Sequence, residues 1–185
     1  IQISTDYVFD GQKPGPYVES DPTAPLGVYG ASKLAGEEAV RARHKKHVIL
    51  RTSWVYGKYG GNFLKTVLRL AGERSELRIV ADQRGSPTST RDLADAILQL
   101  TPRLLGDGEH WGTYHFTGDG EASWYQFADE ILKAREPWTG ARPKLTPITT
   151  AEYPTPARRP SNSVLDNRLF KTTFRVEARP WRDSV

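Results

Sequence analysis

Two patterns of hydrophobic and polar residues alternate along this chain, one typical of strands and one typical of amphipathic helices. Short runs rich in β-branched and apolar residues predict strands at 2–5, 47–52, 77–80 and 113–117. Between them lie longer segments with apolar residues three or four positions apart, which predict amphipathic helices at 28–43, 62–73, 90–105 and from 124 onward. Strands that alternate with helices predict an α/β fold with a partly parallel sheet.

The helix starts and the irregular stretches have their own signals. Ser89 or Thr90 can cap one helix, and Ser123 can cap another. Proline and glycine predict loops at 6–25 and 82–88, and an irregular, proline-rich stretch at 137–160. A mixed segment follows at 161–174, and the last residues, 180–185, have the pattern of a first helical turn.

The composition is that of a folded globular chain. Of its 185 residues, 37% are hydrophobic and 10% aromatic, which is sufficient for the core of one domain or slightly more. No apolar run reaches the roughly 18 residues of a membrane span, and the first residues lack the pattern of a signal peptide. We therefore expect a soluble, cytoplasmic protein with no membrane partner.

Charge and metal-ligating residues narrow the function further. Cysteine is absent, and the four histidines have no acidic partner at a recognisable spacing, so we predict no disulfide and no metal site. The net charge of +4 is spread along the chain without a basic face interleaved with aromatics, so we expect no nucleic-acid partner. The arginines would suit a phosphorylated small molecule.

One pair of side chains carries candidate chemistry. Tyr29 and Lys33 are four residues apart in the predicted 28–43 helix, so the phenol and the ammonium rise from one face. A free phenol has a pKa of about 10, and a nearby ammonium favours the phenolate, which suits proton donation to a carbonyl. The spacing alone is a weak signal, because a surface Tyr and a solvated Lys also occur at it by chance.

Two strand ends fall where ligands bind in open α/β sheets. Thr5 and Asp6 follow the first predicted strand, and Trp54 follows the second. The carboxyl ends of parallel strands meet at one edge of the sheet, where ligands bind. Since a flat indole suits the face of a sugar ring, Trp54 is a candidate carbohydrate contact as well as a candidate core residue.

Five segments in this order resemble the extended short-chain dehydrogenases/reductases, and within them the sugar-nucleotide 4-ketoreductases. They are Ser4-Thr5-Asp6-Tyr7-Val8-Phe9-Asp10-Gly11, Tyr29-Gly30-Ala31-Ser32-Lys33, Arg51-Thr52-Ser53-Trp54-Val55-Tyr56-Gly57, Asp82-Gln83-Arg84-Gly85-Ser86-Pro87-Thr88 and Arg159-Pro160-Ser161-Asn162-Ser163-Val164-Leu165. The resemblance implies the C-terminal part of an NAD(P)-binding Rossmann-type fold. Residues 1–60 would belong to the Rossmann domain, and 61–185 mainly to a smaller substrate-binding region that returns one or more segments to the sheet.

The resemblance also implies a reaction. NADPH, or NADH, would deliver a hydride to C4 of a dTDP-4-keto-6-deoxy sugar, and Tyr29 would give a proton to the carbonyl oxygen. Lys33 would hold the nicotinamide ribose and depress the phenol pKa, and Thr5 would polarise the carbonyl. The implied cofactor contacts are Ser4, Tyr29, Lys33 and Trp54.

Further residues match substrate contacts of that family. Trp54 would pack on the sugar ring, and Asp6, Tyr7 and Val8 would line the same pocket. The nucleotide-side positions, which also suit plain turns and structural Arg-Pro segments, are Asn62, Gln83, Pro87 and Thr88, with Arg159 and Asn162 as weaker matches.

The chain departs from the family pattern in one large respect. The family opens with a strand, a Gly-x-x-Gly-x-x-Gly turn and a helix that receives the pyrophosphate, and this chain has no such segment. Its partner would therefore be a missing N-terminal half of about one hundred residues, and the chain alone would bind cofactor poorly. The choice between NADPH and NADH stays open, a homodimer is an option, and a bound Mg²⁺ has no signature here.

Two other functions stay open. The regulatory β subunit of methionine adenosyltransferase resembles the same reductases, so this chain could be a non-catalytic partner protein. Another sugar-nucleotide epimerase or dehydratase is the second alternative. A dehydratase is disfavoured because Tyr7 stands where those enzymes carry a glutamate after Thr-Asp.

Overall fold

The computed structural model describes residues 1–106, 110–140 and 142–185. In this part of the chain the helices α1 to α5 are Val28–Arg43, Phe63–Glu73, Thr90–Leu105, Trp124–Thr139 and Arg168–Phe174. The strands β1 to β9 are Gln2–Thr5, Val48–Thr52, Val55–Tyr56, Glu76–Val80, Arg84–Gly85, Thr88–Ser89, Gly112–His115, Ala122–Ser123 and Lys144–Ile148. Short 3₁₀ turns lie at Asp6–Val8, Thr150–Glu152 and Trp181–Ser184.

The main sheet is parallel, with the strand order β1-β2-β7. All five residues of the central strand β2 are buried, which suits a strand covered on both faces. Thr5 pairs with Thr52, so β1 and β2 end at the same height and release their next residues at one edge of the sheet. The predicted α/β fold with a parallel sheet is confirmed.

Side-chain caps begin the helices where the sequence predicts. The Asn62 side chain accepts from the Lys65 N–H at the start of α2, and Ser89 rather than Thr90 caps α3. At α4, Ser123 and Gln126 form a reciprocal capping box. These bonds satisfy N–H groups that a helix cannot pair internally, which is why the boundaries are readable from local sequence.

The stretch predicted to be irregular from 137 onward is partly regular. Helix α4 continues through Pro137 to Thr139 and ends at Gly140, whose φ of 61° suits a left-handed cap. Strand β9 pairs in parallel with β4 alone, so Pro147 can occupy a strand that is an edge. The prediction of irregular structure was wrong at these two places, because proline is tolerated near a helix end and on an edge strand. Ala141 lies outside the described residues.

Two apolar clusters hold the elements together. One joins α2, β4 and α4 around Phe127 and the fully buried Trp181, so the last 3₁₀ turn belongs to the core. The other packs β2 and β7 against α3 and α5 around Phe170 and Phe174. No helix among the described residues is long and apolar enough to cross a membrane.

Candidate active site

Thr5 and Tyr29 come from the end of β1 and the first turn of α1. The buried Thr5 hydroxyl donates to Asp6 Oδ1 at 2.9 Å and accepts from the Tyr7 N–H at 3.2 Å, which caps the Asp6–Val8 turn. Tyr29 is 58% exposed, and its ring meets the Tyr7 ring edge-on at 6.0 Å. An exposed phenol in the first turn of α1, beside the turn that follows β1, is open to a ligand.

A glycine lets α1 approach this turn. A Cβ placed on Gly30 would lie 2.1 Å from the Tyr7 carbonyl oxygen and 3.0 Å from Pro25 Cβ. Any side chain at this position would push the start of α1 away from the Asp6–Val8 turn. The contact between the rings of Tyr7 and Tyr29 therefore depends on Gly30.

A polar stripe along one face of α1 docks this helix on the sheet. Tyr29, Lys33, Glu37 and Arg41 follow at intervals of four, and Gly30 and Glu37 are the buried residues of the helix. Lys33 Nζ donates to the Ile3 carbonyl oxygen of β1 at 2.6 Å. A helix usually docks through an apolar stripe. In α1, by contrast, the residues that face the sheet in this stripe are polar.

Glu37 is the centre of that docking. Its carboxylate accepts two bonds from the buried Arg51 of β2, at 2.9 and 2.7 Å, and a further 2.7 Å bond from Arg41. These cations and the Ser4 hydroxyl lower the pKa of Glu37 against the effect of burial. The sequence analysis missed Glu37 and Arg51; the glutamate on the Tyr29-Lys33 face of α1 was the available signal.

Ser4, predicted to contact the cofactor, faces α1 in this structure. Its hydroxyl donates to Glu37 Oε1, and its residue is only 3% exposed. Val8, predicted to line the sugar pocket, is fully buried in a cluster with Phe9 and Tyr17. Neither side chain presents a surface to a ligand here, because each is enclosed by the packing of α1 or of the 6–25 loop.

Asp6 and Tyr7 have perturbed acidities. Burial raises the pKa of Asp6 to about 7, although hydrogen bonds from Ser163 and Thr5 oppose the shift. Burial, then the charge of Asp6, raises the pKa of Tyr7 to about 12, and the Arg159 guanidinium acts in the opposite direction.

Trp54 occupies the end of β2 in a conformation rare for a bulky residue. Its φ is 47°, and its indole stacks on that of Trp124 with centroids 3.5 Å apart and planes 6° apart. A Cβ on Gly85 would lie 2.3 Å from Trp54 Cε2, so the ring also packs closely on β5. The sequence analysis did not predict Trp124 as a site residue, since in the sequence it is simply the first residue of the predicted helix α4.

A pocket of about 290 Å³ opens beside this pair. Its wall is apolar along α2 and β4, with aromatic rings and cations at the rim, and the side chains that matter for a ligand are Phe63, Arg74, Gln83, Trp124, Tyr153 and Arg159. Gln83 Oε1 accepts from Trp124 Nε1 at 3.2 Å, and Gln83 Nε2 donates to Thr150 Oγ1 at 3.1 Å. Gln83 and Arg159, two of the predicted substrate contacts, both line this pocket.

The other predicted nucleotide-side residues have structural partners. Asn62 caps α2 and donates to the Gly57 carbonyl oxygen at 2.8 Å. Pro87 and Thr88 are buried, and the Thr88 hydroxyl accepts from the Gly118 N–H at 3.2 Å. Asn162 donates to two carbonyl oxygens of the 6–25 loop. These side chains shape the site and do not line the 290 Å³ pocket.

Two further features of the described residues bear on the chemistry. No group of three His, Asp or Glu side chains among them could hold a metal ion. A larger, open cleft of about 470 Å³ runs beside α5, between Gly118 and Lys171, and contains none of the predicted site residues. The 290 Å³ pocket, which touches Gln83 and Arg159, is therefore the candidate ligand site.

Comparisons with known proteins show what the chain is similar to. A family model described as the RmlD substrate binding domain matches residues 1–185. A dTDP-4-dehydrorhamnose reductase of Sinorhizobium fredii is 48% identical over all of this chain and 63% of its own length. One from Burkholderia thailandensis is 47% identical over all of this chain and 65% of its own length. The chain therefore spans less than two thirds of these relatives.

Solved structures give the same likeness. A dTDP-4-dehydrorhamnose reductase from Clostridium acetobutylicum superposes with a TM-score of 0.90 at 44% identity, over 99% of this chain and 62% of its own. One from Bacillus anthracis, in complex with NADP, gives 0.88 at 41% identity, over 98% and 62%. A dTDP-glucose 4,6-dehydratase from Bacillus anthracis, in complex with NAD, is 20% identical with a TM-score of 0.74, which shows a shared fold alone.

Proposed function

Because the chain belongs to the RmlD substrate binding domain family, we propose that it is the substrate-binding and proton-donating part of a dTDP-4-dehydrorhamnose reductase. The substrate is a dTDP-4-keto-6-deoxy sugar, whose C4 carbonyl is reduced to give dTDP-L-rhamnose. When bound, NADPH or NADH supplies the hydride. Relatives that are 48% and 47% identical carry this reductase name, which favours the reductase over a regulatory subunit or an epimerase.

One observation carries the proposal: the candidate proton donor and the ligand pocket are linked through two residues. The Tyr29 ring meets Tyr7, the charge of Arg159 reaches Tyr7, and Arg159 also lines the pocket. A nucleotide sugar bound there would reach from the pocket towards the Tyr29 phenol. The guanidinium of Arg159 suits its pyrophosphate, and the rings of Phe63 and Trp124 suit its base.

Tyr29 gives the proton to the C4 oxygen in this mechanism. Lys33 is fixed beside it, since its ammonium donates to the Ile3 carbonyl oxygen of β1. An ammonium has three N–H donors, so two remain for a ribose hydroxyl or for the phenol. The face of α1 thus fits the nicotinamide-ribose end of the cofactor, whereas the chain carries no glycine-rich turn for the pyrophosphate.

Thr5 needs a change of hydrogen bonding before it can polarise the substrate carbonyl. Its single proton points to Asp6 Oδ1, and its oxygen accepts from the Tyr7 N–H. With a pKa raised to about 7, Asp6 carries a proton in a large fraction of molecules at neutral pH. A protonated Asp6 can donate to Thr5 Oγ1, which frees the threonine proton for the carbonyl oxygen.

Substitution of Tyr29 tests the function. In the protein that carries this chain, Tyr29→Phe should lower kcat by about 10²- to 10⁴-fold, the usual contribution of a general acid, while the affinity for dTDP stays unchanged. Tyr59→Phe is the matched control, because Tyr59 is 82% exposed and its ring lies under the ammonium of its neighbour Lys58. Unchanged NADPH oxidation by the Tyr29 variant would contradict the assignment.

Two other parts of the proposal, the cellular location and the oligomeric state, need other measurements. A cytoplasmic location is expected from the sequence analysis and a homodimer is an option there, and both stay predictions. Cell fractionation and light scattering of the purified protein would test them.

A further inference from the structure

The indole of Trp54 is held in an unusual way at the proposed sugar site. Its φ of 47° lies in the left-handed region, which is unfavourable for a bulky residue unless the surrounding structure imposes it. The carbonyl oxygen of Trp54 accepts from the Thr88 N–H at 3.3 Å, so the backbone is tied to β6. The position of the ring is then set by what packs against it.

One two-stranded ribbon, with the residue that follows it, supplies two close contacts of this ring. β5 and β8 pair antiparallel, with Gly85 opposite Ala122. Gly85 approaches Trp54 so closely that a Cβ would overlap the indole at 2.3 Å. Trp124, which directly follows β8, stacks on the same indole at 3.5 Å. The ribbon therefore fixes the plane of Trp54.

Trp124 is in turn fixed from the side of the ligand pocket. Its indole N–H donates to Gln83 Oε1, and Gln83 is itself held by Thr150. Phe63 packs against Trp124 with centroids 4.7 Å apart. Phe63, Gln83 and Trp124 all line the 290 Å³ pocket, whereas Trp54 does not. Trp124 thus touches both the pocket and the ring of Trp54.

We propose that Trp124 is a positioning residue, which holds the Trp54 indole in the plane that receives the sugar ring of the substrate. The proposal rests on the proposed function, because it takes a sugar nucleotide as the ligand. Trp124 acts on the sugar through Trp54, so the two side chains contribute as one unit. A purely structural Trp124 would contribute independently of Trp54.

The stack itself is tested on the chain without ligand. Two stacked indoles give an exciton couplet in the far-ultraviolet circular dichroism spectrum. Trp54→Leu and Trp124→Leu should each abolish the couplet, and Trp138→Leu should keep it, because Trp138 is 88% exposed. A couplet that survives Trp124→Leu would overturn the proposal, since Trp124 would not be the partner of Trp54.

The positioning role is tested by binding in the protein that carries this chain. The ratio of the Kd for dTDP to the Kd for dTDP-L-rhamnose, measured by calorimetry, isolates the contribution of the sugar. Either leucine variant should lower this ratio about tenfold, which corresponds to roughly 1.4 kcal/mol, and the double variant should lower it no further. Trp124→Phe, which keeps a ring under Trp54 and serves if the leucine variant unfolds, should restore most of the ratio without the couplet.

The outcomes separate this inference from the proposed function. Additive losses in a protein that binds both ligands would overturn the positioning role and leave the reductase proposal standing. Failure of the unaltered protein to bind either ligand would overturn the proposed function, and the positioning role with it.

Discussion

Asp6 is buried beside Thr5 and Tyr7 with hydroxyl groups as its side-chain partners. The hydrogen bonds from Ser163 and Thr5 offset only part of the cost of burying its charge, so its pKa rises from 3.8 to about 7. The folded chain therefore holds a proton that the unfolded chain releases between about pH 4 and pH 7. Through this one group, stability falls as pH rises across that window.

Asp6→Asn should remove this dependence. The free energy of unfolding of the variant, relative to the unaltered chain, should grow by up to about 1.4 kcal/mol per pH unit between pH 4 and pH 7, and level off above pH 7. Urea denaturation at a series of pH values would measure the difference. A difference that does not change with pH would contradict a buried, protonated Asp6.

The control for this series is Asp10→Asn. The pKa of Asp10 is lowered, first by the bond from the Gln12 N–H, so its contribution is complete above about pH 5 and its difference should stay flat there. The pH dependence of the unaltered chain's free energy of unfolding would not by itself reveal the contribution of Asp6. Burial lowers the pKa of His115 to about 3, so its contribution to stability is lost as pH falls below 6.5, opposite in sign to that of Asp6.

Two glycines of α1, Gly30 and Gly36, differ in their surroundings, since Gly30 packs closely against the Asp6–Val8 turn and Gly36 faces open space. Substituting each of them therefore tests the docking of α1. Gly30→Ala would place a Cβ 2.1 Å from the Tyr7 carbonyl oxygen, and we expect it to destabilise the chain by about 1–3 kcal/mol. Nothing lies within 4 Å of a Cβ at Gly36 in the same helix. Gly36→Ala should instead stabilise by roughly 0.5–1 kcal/mol, since alanine is the better helix former.

Thermal and urea denaturation of the two alanine variants would measure both effects. Equal stability of the two variants would show that α1 does not depend on close approach to the Asp6–Val8 turn. In the protein that carries this chain, Gly30→Ala should also impair turnover, because the displaced helix start carries Tyr29.

The ion pair between Glu37 and Arg51 is the second anchor of α1. Glu37→Gln leaves the guanidinium of Arg51, which is 2% exposed, without its anionic partner, and should destabilise by about 3–5 kcal/mol. Glu73→Gln is the control, since the Arg69–Glu73 pair is 61% and 51% exposed and should contribute at most about 0.5 kcal/mol. Similar losses in the two variants, measured by urea denaturation, would rule out Glu37 as the anchor of α1.

Over the whole molecule, the residues proposed for the cofactor lie at an open edge of the sheet. Among the described residues β1 pairs with β2 alone, and Ile1 just before β1 and Ile3 within it are 55% and 36% exposed. Residues 1–185 should therefore bind NADPH more weakly than about micromolar, because Tyr29 and Lys33 offer contacts to the nicotinamide end alone. Fluorescence titration of NADPH would measure this, and micromolar binding would contradict it.

The elements were predictable because their signals are local. The caps at Asn62, Ser89 and Ser123, and the apolar periods that follow them, fix α2, α3 and α4 within a few residues. Prediction failed at β9, whose strand forms only because β4 offers it a parallel partner far away in the sequence. Pairing between distant segments leaves no local pattern to read.

The candidate site likewise has a part that was predictable from the sequence and a part that was not. Placement of Thr5, Asp6 and Trp54 at strand ends follows from topology, which the alternation of elements already implies. The contacts of Glu37 with Arg51, and of Trp54 with Trp124, join segments that are remote in the chain. The position of Glu37 on the Tyr29–Lys33 face of α1 was a local signal, but nothing in the spacing indicates which side chain meets which, so these pairings could not be predicted.

The sequence by itself determined the α/β class, the boundaries set by caps and apolar periods, and the presence of Tyr29 and Lys33 on one face of a helix. These depend on residues within a turn or two of one another. Only the tertiary structure decided that Ser4 faces Glu37, that Val8 belongs to the core, and that Trp124 stacks on Trp54. Burial and partner choice are properties of the packed molecule, because they arise when distant segments exclude water together.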